Sequence, residues 1–237
     1  MHAVRLASPL FLLGLIAGIY TLPLHAAPPL PAPYEDLVQI KSRNLDAVYL
    51  LPGADFRGYS KVMIDPVQVS FRKDWVKETN RSRGTSGRIT DQDAQQIAQA
   101  ARSGFETIFA AAFKAKGYDV VASPAPDVLR LAPAIANLYI NAPLPTAGPG
   151  VSQTYTVEAG EATLALEVRD STTGALLGLA VDRSATRRSS PVTLTTSTSN
   201  RADFENLFTR WADICVKGLE QLKTASPVSS TGPEKKR

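Results

Sequence analysis

The chain has 237 residues, with 26 Lys plus Arg against 22 Asp plus Glu, two His and one Cys. Arg5 is the only charge in the first 26 residues and the last 13 carry Lys235, Lys236 and Arg237 against Glu234, which leaves +1 on residues 27–224. A strongly basic domain, the electrostatic footprint of nucleic-acid binding, is therefore excluded, and both histidines, His2 and His25, lie in the N-terminal stretch.

Residues 1–26 combine Arg5, an uncharged apolar run from Leu6 to Leu24 and a small-residue exit at Ala26-Ala27. That three-part pattern is a secretory signal peptide. The competing reading is a retained anchor; Pro9, Pro23, the Ala pair and the lack of a cationic stop favour cleavage. Residues 27–35 form a Pro-rich leader and 225–237 a disordered basic tail, leaving 36–224 as a single domain.

Lys61 to Phe71 reads as a strand whose parity switches at Asp65-Pro66, the mark of a bulge or edge. Thr90 and Asp93 form a capping box, opening a long helix with Ile97, Ala101, Phe105, Ile108, Phe109 and Phe113 on one stripe. Gly117 closes it. A strand-like stretch follows from Val128 to Asn141, interrupted near Pro133, then turn material from Pro143 to Gly150. Alternation around Tyr155–Ala159 changes phase at Gly160 and continues through Val168, so a second bulge is expected there. Asp170 to Gly174 is a hairpin turn, with Leu176–Val181 as the returning strand. Asn200 is read as the cap of a final helix whose inner face holds Phe204, Leu207, Phe208, Trp211, Ile214, Cys215, Leu219 and Leu222. Cys215 on that stripe is a small core residue and has no partner for an internal disulfide. The order implies an α+β two-layer sandwich, with two long helices on one face of a mostly antiparallel sheet.

Several of these segments carry a resemblance. Pro52-Gly53-Ala54-Asp55-Phe56, Asp65-Pro66-Val67, Phe71-Arg72-Lys73-Asp74-Trp75, Tyr155 to Ala162, the 170–174 turn, Ser199 to Phe204 and Trp211-Ala212 resemble the bacterial envelope family catalogued as domain of unknown function 3313. The resemblance covers about residues 36–223. It implies an exported or lipid-anchored envelope protein and carries no activity. Lipoprotein members have an acylated cysteine that this sequence lacks, so anchoring is not carried over.

Once the signal is removed, no Ser-His-Asp or Cys-His arrangement and no histidine zinc site can be assembled, and no phosphate-binding Gly-rich loop or dinucleotide fingerprint is present. Ser70-Phe71-Arg72-Lys73 matches Ser-x-x-Lys, but on a strand the two side chains point to opposite faces. Glu158 and Glu161 are the best carboxylate pair for an enzyme, such as a sugar-processing one, or for a hard cation; the plainer reading has both facing solvent on alternating strands. Arg72, Lys73, Lys77, Arg81, Arg83 and Arg88 against Asp74 and Glu78 give +4 over residues 71–90, with Trp75 placed to stack beside an anionic partner. Arg183, Arg187 and Arg188 form a second basic loop. The plainer reading of the basic segment is a solvated loop that keeps a sheet edge from pairing.

The sequence thus points to a non-catalytic periplasmic domain with no cofactor, no metal and no mature transmembrane helix. Its expected partner is another envelope protein or an anionic envelope surface, met by Arg72, Lys73, Trp75, Lys77, Arg81, Arg83, Arg88, Arg187 and Arg188.

Overall fold

The computed structural model describes residues 33–81, 83, 87–141, 155–156, 160–186, 193–194 and 197–229. The residues expected to form the signal, the start of the expected leader and most of the expected tail, together with Glu158, Arg187 and Arg188, lie outside them. In chain order the elements are β1 (Val38–Ile40), β2 (Ala47–Leu50), β3 (Lys61–Ile64), β4 (Gln68–Phe71), α1 (Trp75–Arg81), α2 (Asp91–Ala115), β5 (Asp119–Val120), β6 (Val128–Ile140), β7 (Tyr155–Thr156), β8 (Gly160–Asp170), β9 (Leu176–Ala185), β10 (Thr193–Leu194) and α3 (Ser197–Ala225). The main sheet runs β1-β2-β9-β8-β6-β3-β5, with β4 also on β6, and β7 pairs β10 separately. Pairing is antiparallel from β1 to β6 and parallel beyond it, where the chain between β4 and β5, which holds α2, supplies the long crossover that parallel strands require. The α+β architecture expected from the sequence is the one observed.

The expected 61–71 strand is two short ones. The break at Asp65–Val67 receives side chains from α2 and β6: Val67 N–H donates to Glu106 Oε1 (3.0 Å), Arg102 Nε donates to Val67 O (2.8 Å), and Arg130 Nε bonds Asp65 (2.9 Å). That break also explains why Pro133 does not interrupt β6. Leu131 O accepts Asp65 N–H on this edge (2.8 Å), so by alternation the missing N–H of Pro133 faces the gap and no ladder bond is lost. The interruption of β6 falls later, at Asn137 (φ 52°), where the register against β8 slips between Ala136 and Tyr139.

Helix α2 starts as the capping box dictates, with Asp93 N–H donating to Thr90 Oγ1 (3.1 Å) and Thr90 N–H to Asp93 Oδ2 (2.8 Å). It ends in a Schellman motif: Tyr118 N–H returns to Phe113 O (3.1 Å), Gly117 N–H to Lys114 O (3.0 Å), and Gly117 takes φ +87°. Helix α3 begins at Ser197, so Asn200 lies inside the first turn and is not its cap.

Both long helices cover one face of the sheet. Phe105 stacks on Phe109 (3.9 Å between centroids) and meets Phe208 of α3 edge-on (5.4 Å, 75°), over Leu129, Leu131 and Ile135 of β6 and Leu164 and Leu166 of β8. Each fully buried Phe of this layer contributes about 1.5–3 kcal/mol relative to exposure. Asp182 of β9 is buried beneath α3, where its Oδ2 accepts Trp211 Nε1–H (2.7 Å) and the Ser184 hydroxyl (2.6 Å). Cys215 packs against this core as expected; burial pushes its thiol up to about 12, and the Asp182 charge acts in the same direction.

Gly160 stands where β6, β8 and α3 converge. A Cβ there would sit 2.0 Å from Tyr139 O and 3.0 Å from Phe204 Cζ, and Thr186 Oγ1 is hydrogen-bonded to both the N–H (2.9 Å) and the O (3.1 Å) of Gly160. Gly160 is the first residue of β8, residues 157–159 on which the expected phase change also rests lie outside the described ones, and close approach is the reason for glycine.

Candidate interaction surface

Between β4 and α1 the chain turns sharply at Asp74, whose φ of 60° is left-handed and is tolerated best by Gly, Asn and Asp. Glu78 N–H donates to Asp74 O (2.8 Å), so the helical turn already begins there. Trp75, expected at the surface, is instead buried: its ring stacks on Phe71 (4.4 Å, 6°) and its Nε1–H donates to Ile140 O (3.2 Å). Trp75 therefore anchors α1 and offers no ring to a partner. The segment read as a basic loop contains this short helix, held at its far side by Asn80, whose amide bonds both the N–H and the O of Ile89 (2.7 and 2.8 Å).

With Trp75 and Val76 turned inward, the charges turn outward. Lys77 and Arg81, one turn apart on α1, are exposed, as are Lys73, which precedes the Asp74 turn, and Arg88. Arg83 is half-buried, donates to Gly87 O (3.0 Å), and burial lowers its pKa from the usual arginine value. Its role is to hold the loop before α2.

Arg72 reaches the other way, onto the helix-free face of the sheet. The slip at Asn137 places Tyr139 opposite Glu161 on that face. The Arg72 guanidinium lies 3.6 Å from the Tyr139 ring centroid, with Nη1 3.3 Å from Glu161 Oε1 and Nη2 3.4 Å from Glu78 Oε2. Arg183 of β9 donates to Glu161 Oε2 (2.9 Å) and Oε1 (3.2 Å). Glu161 thus bridges Arg72 of the first basic segment and Arg183 of the second. Their adjacency, open in the sequence, is settled for these two residues. A carboxylate with both oxygens engaged by guanidinium groups is poorly placed as an acid, a base or a cation ligand. Among the described residues there is no group of three or more His, Cys, Asp and Glu side chains placed to hold a metal ion. Sequence reasoning missed Tyr139 and Glu78 as parts of this cluster; the only local signal was the alternation of β6, which the slip inverts.

The profile of the family described as "Protein of unknown function (DUF3313)" matches residues 28–214. The chain belongs to this family. The match spans all the segments on which the resemblance rested. No curated protein matches this DUF3313 sequence. Solved structures that resemble it include a protein from Xanthomonas campestris of the DUF330 family (14% identity over 74% of this chain and 91% of that one, TM-score 0.40). Others are the PelC dodecamer from Paraburkholderia phytofirmans (12%, 73% and 97%, 0.35) and a putative neuraminyllactose-binding hemagglutinin homolog from Helicobacter pylori (11%, 74% and 92%, 0.34). No helix among the described residues is long and apolar enough to cross a membrane.

Proposed function

We propose that this DUF3313 protein is a non-catalytic, exported domain that binds an anionic component of the bacterial envelope through the surface around α1. The observation that carries the reading is the exposed row of Lys77 and Arg81 on α1, with exposed Lys73 before the helix and Arg88 after it in the chain, beside the Arg72–Glu161–Arg183 cluster. Trp75 and Asn80 set the orientation of α1, so the cations are presented on a fixed support. Phosphate and carboxylate groups are the ligand chemistry such a row recognises. Export rests on the signal pattern of residues 1–26, and cleavage there gives a mature chain beginning at Ala27.

The test is co-sedimentation with vesicles of phosphatidylcholine alone and of phosphatidylcholine with phosphatidylglycerol. Binding is expected only to the anionic vesicles, weakening as salt rises, and lost in K73E/K77E/R81E. Binding that ignores both salt and charge reversal would overturn the proposal, as would measured turnover by the purified chain.

A further inference from the structure

The sheet ends, at the side opposite β6 and its parallel strands, in β1, which among the described residues pairs only with β2. Exposed edges of this kind are normally protected by like charges or proline, because they offer a row of free backbone groups to a second strand. Here the charges are sorted by sign. Glu35 and Asp36 precede the strand, Lys41 and Arg43 follow it, and all four are exposed. Val38, 40% exposed, is the one large hydrophobic on the surface of the described residues, and it shares a face with Ile40, since they oppose Leu50 and Val48.

An antiparallel strand of the same sequence complements this edge. Centred on Gln39, it sets Val38 against the partner's Ile40 and Glu35 against the partner's Arg43, and brings Asp36 to the partner's Lys41–Arg43 end. A parallel strand would set like charges together. We infer that β1 is a self-association edge, where two copies of the chain pair β1 to β1 about a two-fold axis and continue the sheet across the dimer. Three residues of ladder make a small contact, so the dimer is weak and salt-sensitive. Because β1 and α1 lie toward opposite sides of the sheet, pairing leaves both basic surfaces outward and makes the dimer bivalent toward an anionic surface.

Sedimentation equilibrium of the full chain over a concentration series tests this, together with E35K/D36K and K41E/R43E. Each variant alone is expected to raise the dimer dissociation constant on the order of tenfold, and mixing the two is expected to restore pairing as a heterodimer. In a Cys215→Ser background, Gln39→Cys is expected to form a disulfide-linked dimer and Asp119→Cys, on the far edge, to stay monomeric. A monomer at every concentration, a dimer indifferent to the charge swaps, or equal cross-linking at both positions would overturn the inference. None of these substitutions touches the α1 surface, so vesicle binding and self-association fail or succeed separately.

Discussion

The two faces of the sheet solve opposite problems. Beneath α2 and α3 the face is filled by Phe105, Phe109, Phe113, Phe208 and Trp211, and the buried carboxylate of Asp182 is satisfied by Trp211 and Ser184. The other face carries Ala132, Ala134 and Ala136 on β6 and Thr163 and Ala165 on β8, bordered by Arg130–Asp65, Glu167–Arg169 and the Arg72–Glu161–Arg183 cluster. Burial of large side chains in low dielectric makes the first face the source of stability. Solvent screening makes the ion pairs of the second nearly neutral to folding and leaves their chemistry free for recognition.

That contrast can be broken in order of effect. Trp211→Ala removes the largest buried side chain of α3 and a partner of Asp182, and should cost about 3–5 kcal/mol in denaturant unfolding. Gly160→Ala forces a Cβ into Tyr139 O and should cost about 1–3 kcal/mol; no measurable loss would mean that β6 and β8 part easily at this corner. Thr90→Ala, which removes the α2 cap, should cost about 1 kcal/mol. Arg183→Gln and Arg72→Gln should each change stability by less than about 1 kcal/mol, while weakening vesicle binding by more than stability predicts. A large stability loss in either would erase the proposed division between the faces.

Acid supplies a separate probe. The Asp170 carboxylate is held well below the usual range, first by the Thr173 backbone N–H and further by the Tyr59, Thr172 and Thr173 hydroxyls, against an opposing effect of burial. A depressed carboxylate contributes stability that is present above its unfolded value, near about 4, and is lost as pH falls toward its folded value. Stability should therefore drop below about pH 4, and Asp170→Asn should flatten that drop.

What the sequence made legible was local. The Thr90–Asp93 cap, the Gly117 stop, the 170–174 turn and the Cys215 stripe each depend on partners a few residues away, so their residue types announce them. The β1–β2 hairpin escaped notice because three- and four-residue strands carry too little alternation. Helix α1 was hidden by its charges, and Trp75 was assigned to a partner because nothing nearby reveals that Phe71 and Ile140 receive it. Pro133 looked like an interruption because the break that accommodates it lies in another strand.

By itself, then, the chain determined its composition limits, its long helix and its turn chemistry, the last two set by contacts within one or two turns. Only the tertiary structure decided which charges meet. Glu161 reaches Arg72 across 89 residues and Arg183 across 22 because strand register and one slip at Asn137 turn the three side chains toward the same face, and register is a property of pairing that no single segment contains.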